Sequence, residues 1–402
     1  MKKFNMFFFY LAWTLYLAYY IVINDSSYKN MVNYNTIDSL VKASTVLLLM
    51  VSVVFIEKYS FRSIFAIIIS VGIFALSSVK SNSQQILMVI LFALSAKDNI
   101  KAEKFVRYDF ILRIVLVLFV LFSVSMGIIE NVRVEISGYE KYSFGFVHVN
   151  IFGMLIGSIF AEFIMLFYDK INWKHAVVFF ASLFCLYKIG ISRTSIIAMG
   201  LTFVLLFFVR NARVNKFIRK HYKLISLFPV FISAGCCFLA VIYTKSNSLL
   251  RMLDKLLSTR LYWAHHFYMK HGFSLFGSKI TTISTERAKQ LGVQAQIFDM
   301  GYVRLAVEYG ILIFAFFILV SVLGNKYSIQ SRKFGLLLAS FYFSLTLIIE
   351  TGGYNVVNNF TLILFTKELL NSNYISGKRY RRLVFVENLK NRLKLYSRKG
   401  KV

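Results

Sequence analysis

Proline is nearly missing from this chain: Pro229 is the only one in 402 residues. Proline-kinked helices are therefore not its main way of bending. Cysteine is scarce too, and Cys185, Cys236 and Cys237 all fall inside apolar stretches. That excludes a disulfide framework or a Cys-x-x-Cys site and leaves three small buried hydrophobes. Acid is the third shortage, with 18 Asp and Glu against 47 Lys and Arg and a formal net charge of +29. Such an excess suits nucleic acid, but the cations sit between apolar stretches and not on a compact basic domain. Membrane topology explains them better, and no nucleic-acid partner is expected. Gly-x-Gly-x-x-Gly and P-loop patterns are absent, and no soluble domain is large enough for a nucleotide sugar.

Apolar sequence is what the chain has in excess. Hydrophobic residues make up 58% of it, and runs of about 18 or more recur along nearly the whole length. This predicts an all-α, polytopic membrane bundle of about twelve transmembrane helices. The candidate spans are 6–23, 39–56, 63–79, 84–96, 110–129, 150–168, 175–191, 195–209, 224–243, 306–324, 334–350 and 356–370. Lys2 and Lys3 precede the first, but no small-x-small cleavage pattern follows it, so it reads as an uncleaved span.

Loop charge sets the orientation. Lys97, Lys101, Lys104, Arg107, Lys170, Lys174 and the cations from Arg210 to Lys223 share one side with a basic tail at 371–402. The positive-inside rule makes that side cytoplasmic and places both termini there, in a cell membrane. Four parts follow: helices one to nine in 1–243, a long extracytoplasmic loop at 244–305, three more helices in 306–370, and the tail.

The long loop carries Lys245, Arg251, Lys255, Arg260, Lys270, Lys279, Arg287, Lys289 and Arg304 against only Asp254, Glu286 and Asp299. Its length exempts it from the charge rule, so its basicity points to an anionic, lipid-linked ligand. From Ser248 to His271, Leu250, Leu253, Leu257, Leu261, Ala264 and Tyr268 recur at helical spacing, with Arg260, Trp263, Phe267 and Lys270 on a second face. This predicts a helix lying in the headgroup plane, in contact with membrane lipid.

Two shorter clusters fall on the same side. His148 and Asn150 sit at the mouth of a span in Gly145–Asn150, and Arg193 lies in the tight Ile191–Ser195 turn with Lys188 one turn upstream. Arginine suits a diphosphate because its planar fork bonds two oxygens at once and keeps its charge when desolvated. No Asp-x-Asp pair or His/Asp ligand spacing occurs on this side, so cations are expected to hold the anion, with no metal and no cofactor. Within the membrane, Arg113 and Glu162 read as a structural pair or as contacts of the Lys170/Lys174 loop, ahead of a proton relay, and Lys367-Glu368 as residues that snorkel to the cytoplasmic surface.

GFVHVNIFG, ISRTS, STRLYWAHHFYMKHGFSLFG and DMGYVRLAVEYGILIF, in this order, are similar to the O-antigen ligase and Wzy-type polysaccharide polymerase family. The resemblance covers about 145 to 325, and no single motif in it is specific; order and topology together carry it. Val149 replaces a proline common between the His and the Asn. Asp299-Met300-Gly301-Tyr302 stands where ligases tend to carry His–Asn or His–Ser, which favours the polymerase branch.

The resemblance implies polymerisation of undecaprenyl-diphosphate-linked oligosaccharide repeat units into capsular or exopolysaccharide. Arg193 and Arg260 would stabilise the leaving diphosphate, with Lys188 and Arg304 as further cations. Asp299 would be the acceptor-hydroxyl base, and His148 would orient substrate or replace it as base. Asn150, Trp263, Lys270 and Tyr302 would contact substrate. A chain-length regulator and a flippase of the same pathway are the implied partners. The alternatives are a polysaccharide flippase or transporter, a ligase acting on another acceptor, or a scaffold of the assembly complex.

Overall fold

The computed structural model describes residues 2–370 apart from 55–60, 98–99, 137–138, 189–191, 284–287 and 289–290. The basic tail 371–402, the loop residues Glu286, Arg287 and Lys289, and Ile191 of the short turn lie outside the described residues.

The chain is helical almost throughout. The first helices are α1 (Lys2–Ala18, continued by a π-helical turn to Asn24), α2 (Tyr34–Val54), α3 (Phe61–Ser81), α4 (Gln85–Ser95) and α5 (Ala102–Ser125). An antiparallel hairpin, β1 (Arg133–Ile136) with β2 (Tyr139–Tyr142), separates α5 from α6 (Val149–Phe167). Then come α7 (Trp173–Lys188), α8 (Arg193–Arg210), α9 (Ala212–Lys220), α10 (Tyr222–Ile225) and α11 (Phe228–Ile242). Pro229 sits in the first turn of α11, where its missing N–H costs nothing, so it starts a helix and does not kink one.

Seven described helices are long and apolar enough to cross a membrane: Lys3–Asn24, Tyr34–Val54, Ala102–Ser125, Val149–Phe167, Arg193–Arg210, Tyr222–Ile242 and Ile311–Gln330. Ile68–Ser81, Gln85–Ser95 and Phe334–Thr346 are shorter apolar helices. The protein is thus a multi-pass helical membrane protein. On α5, Ile111, Val115, Leu118 and Phe122 are exposed at helical spacing, as a lipid-facing stripe requires.

Two short helices form the centre: α16 (Phe334–Thr346), packed on α6 and α8, and α17 (Thr361–Leu370), packed on α4 and on α15 (Ile311–Gln330). Residues Thr361 to Lys367 are buried on every side. The expected last span is therefore a ten-residue interior helix. Lys367 does not snorkel: it is buried, and its ammonium donates to the Ile100 carbonyl. Ionic contacts hold this centre together. Arg113 pairs with Glu162 and Asp109, each at 3.0 Å, and donates to the Val357 carbonyl at 2.7 Å, while Trp13 Nε1 donates to Asp109 at 3.1 Å. The expected pair is present, and it ties α1, α5 and α6 to the segment leading into α17.

The Ser248–His271 stretch is two helices, not one. α12 (Ser248–Leu256) and α13 (Arg260–His271) are broken at Ser258 and Thr259, whose φ values are 55° and 64°. Buried Asp254 accepts from the Tyr262 amide at 2.8 Å and from the Tyr243 hydroxyl at 3.3 Å, which fixes the joint. α13 packs on α11, so Leu261, Trp263, Ala264 and Phe267 all turn inward.

After α13 the chain returns over the bundle towards α14 (Gly301–Arg304), a π-helical turn (Leu305–Tyr309) and α15. Gly277 and Gly310, with φ of 83° and 90°, meet backbone to backbone, and a Cβ on Gly277 would lie 2.0 Å from the Glu308 carbonyl oxygen. The contact anchors the returning loop next to Arg304.

A charged cavity under the long loop

Four separate segments converge beneath this loop on a cavity of about 400 Å³. The start of α6 supplies His148, Asn150, Ile151 and Met154, and α13 supplies Arg260. The loop supplies Thr282, Ile283 and Gln296 to Asp299; α14 adds Arg304, and the turn after α16 adds Glu350 and Thr351. A bridge between Ile283 and Gln296, bonded both ways at 3.0 Å, holds the loop's two limbs together.

Arg260 is the hub. Its Nη2 donates to Glu350 Oε1 at 3.2 Å, and its Nε lies 3.5 Å from Asp299 Oδ2. Asn150 Nδ2 also donates to Glu350 Oε1, at 3.5 Å. Arg304 is already occupied: its Nε pairs with Glu308 at 2.5 Å and its Nη1 donates to the Phe298 carbonyl at 3.2 Å. Burial pushes the Glu350 carboxyl up to about 8; Arg260 opposes the shift and Asp299 adds to it.

His148 caps α6, with its Nδ1 accepting the Asn150 amide at 3.1 Å. In the neutral ring this leaves the proton on Nε2, so the other ring nitrogen donates. The geometry suits orienting a ligand oxygen and not removing a proton from it.

Five of the ten residues singled out in sequence share this cavity: His148, Asn150, Arg260, Asp299 and Arg304. The other five lie elsewhere. Lys188 is exposed at the end of α7, 5.5 Å from the Phe184 ring, and Lys270 is exposed near the end of α13. Trp263 packs edge-on against Tyr262 and His266, and Tyr302 is buried with its hydroxyl donating to the Ser344 carbonyl at 3.3 Å. Arg193 is exposed at the start of α8, where it adds to the effect of partial burial in lowering the pKa of Lys141 on β2. Ser195, two residues on, lines a narrow crevice whose other wall includes Glu350.

Sequence reasoning missed Glu350. The apolar run 334–350 takes it in as its last residue, but α16 ends at Thr346 and Glu350 lies in the turn beyond it. An acid at the edge of an apolar run, followed by Thr351-Gly352-Gly353, was the available signal. Comparison with protein-family models, with curated proteins and with solved structures returns no match.

Proposed function

We propose that this protein is a membrane glycosyltransferase that polymerises undecaprenyl-diphosphate-linked oligosaccharide repeat units into capsular or exopolysaccharide on the outer face of the cell membrane. Loop charge puts both termini in the cytoplasm and the cavity on the outer face. One observation carries the proposal: a fixed guanidinium, Arg260, stands beside a part-exposed carboxylate, Asp299, in a cavity roofed by the loop.

In the reaction, a sugar hydroxyl of one lipid-linked unit attacks the anomeric carbon of another glycan. The new carbon–oxygen bond forms as the bond to the diphosphate oxygen breaks, and undecaprenyl diphosphate leaves. Arg260 faces the charge that grows on the phosphate oxygens, where a preorganised donor stabilises the transition state most. Asp299 takes the hydroxyl proton. His148 and Asn150 orient the sugar. Arg193 and the loop lysines, outside the cavity, steer the anionic substrate towards it. No metal takes part in this scheme.

Cells lacking the protein should make single repeat units and no polymer, and the wild-type gene should restore the polymer. Polymer of unchanged length in the deletion strain would sink the proposal.

A further inference from the structure

Arg260 faces two carboxylates. If both were ionised, its charge would be more than cancelled before any anion arrived. Asp299 is part-exposed and 3.5 Å away; Glu350 is closer, at 3.2 Å, and only 5% exposed. The bonding at Glu350 is lopsided, since Arg260 Nη2 and Asn150 Nδ2 both donate to Oε1. A carboxylic acid satisfies both donors with its carbonyl oxygen and carries its proton on the other oxygen.

We propose that Glu350 is a positioning residue that sets the charge Arg260 presents to an anionic ligand. Protonated, Glu350 holds the guanidinium in place and leaves its charge opposed by Asp299 alone. Ionised, it makes the Arg260–Asp299–Glu350 group net negative and closes the cavity to anions. The diphosphate class of ligand rests on the polymerase proposal.

The surroundings of Glu350 suit this switch on every side. Arg260 faces it from α13, Asp299 from the loop, Asn150 and His148 from the start of α6, and Arg304 from α14. Tyr342 of α16 lines the crevice on its other side. Arg304 pairs with Glu308, whereas Arg260 bonds Glu350 directly, so Arg260 is the cation whose charge Glu350 controls. Burial favours the acid form at neutral pH, with the change centred at about 8. A carboxyl pKa raised on folding means that the native state holds the proton longer than the unfolded chain. Anion affinity should therefore be high below about pH 8 and fall as the pH rises through it.

The test uses the full-length protein purified in detergent and inorganic diphosphate as the probe. Affinity is measured at pH 7 and pH 9 for wild type, Glu350→Gln and Glu350→Met. Wild type should bind roughly 10- to 100-fold more weakly at pH 9, the effect of one nearby unit charge at an intermediate dielectric. Both variants lack the titrating group and should lose that step, keeping only the change due to ionisation of diphosphate itself. The methionine variant covers the case in which the buried amide of the glutamine variant prevents folding. A pH step of equal size in wild type and a folded variant would overturn the inference, as would no binding by wild type at pH 7. Switched diphosphate binding in a protein that makes no polymer would sink the polymerase proposal and leave the role of Glu350 standing.

Discussion

Arg260→Lys should remove most polymerising activity while the protein still accumulates in the membrane. The guanidinium reaches two groups at once, Nη2 to Glu350 and Nε to Asp299. A lysine ammonium is a single point on a flexible stem, so it cannot hold both contacts and also present a flat fork to a diphosphate. Losing one charge-assisted contact in the transition state costs about 2–4 kcal/mol, or about 30- to 1000-fold in rate. Initial rates on a lipid-linked repeat unit, set against protein level by immunoblot, give the answer. Arg193→Lys is the contrast, because Arg193 is exposed and outside the cavity. Its long-range effect is screened by salt, so it should stay within about threefold of wild type at physiological ionic strength. Near-normal polymer from Arg260→Lys would reduce Arg260 to a clamp for the loop.

Asp299→Asn should be more damaging still. An aspartate just before a helix is often only a cap, and asparagine caps about as well. That bland role is not what the structure shows. Met300 occupies the N-cap position, α14 has only four residues, and the Asp299 carboxylate turns to Arg260. Asparagine keeps the shape and loses both the charge and the capacity to take a proton. General-base loss costs roughly 100- to 10,000-fold. A normally expressed, fully active Asn variant would remove Asp299 from the chemistry. His148 is a poor substitute, since its Nδ1 is engaged with the Asn150 amide.

Much of this was legible in the sequence, and what was not has physical reasons. Long apolar runs announce helices such as α2 and α5 because a lipid-facing helix leaves no other solution for its backbone. His148, Asn150, Arg260 and Asp299 were also visible, each a polar residue at the edge of an apolar stretch. Their convergence was not. Glu350 meets Arg260 across ninety positions of chain, and no periodicity reports a contact that distant.

Trp263 was misplaced for a different reason. Positions 260, 263, 267 and 270 lie on one face of α13, but setting that face against the leucines of α12 assumes a helix unbroken from Ser248. The left-handed residues Ser258 and Thr259 break it and reset the phase, and Trp263 and Phe267 turn inward. Nothing in a Ser-Thr pair announces that break, because left-handed backbone is usually marked by glycine. The 356–370 stretch reads as a span because its residues are mostly apolar, a property shared by spans and by helices at the centre of a bundle.

Whether this protein joins glycans at the cavity is tested most directly with purified components. The full-length protein in detergent is incubated with undecaprenyl-diphosphate-linked repeat units and a chelator, without nucleotide sugar. Products are resolved by gel and mass spectrometry. A ladder rising by one repeat unit per step, with release of undecaprenyl diphosphate, is the expected result. Unchanged substrate from folded protein, or a ladder that forms only when a divalent metal is restored, would contradict it.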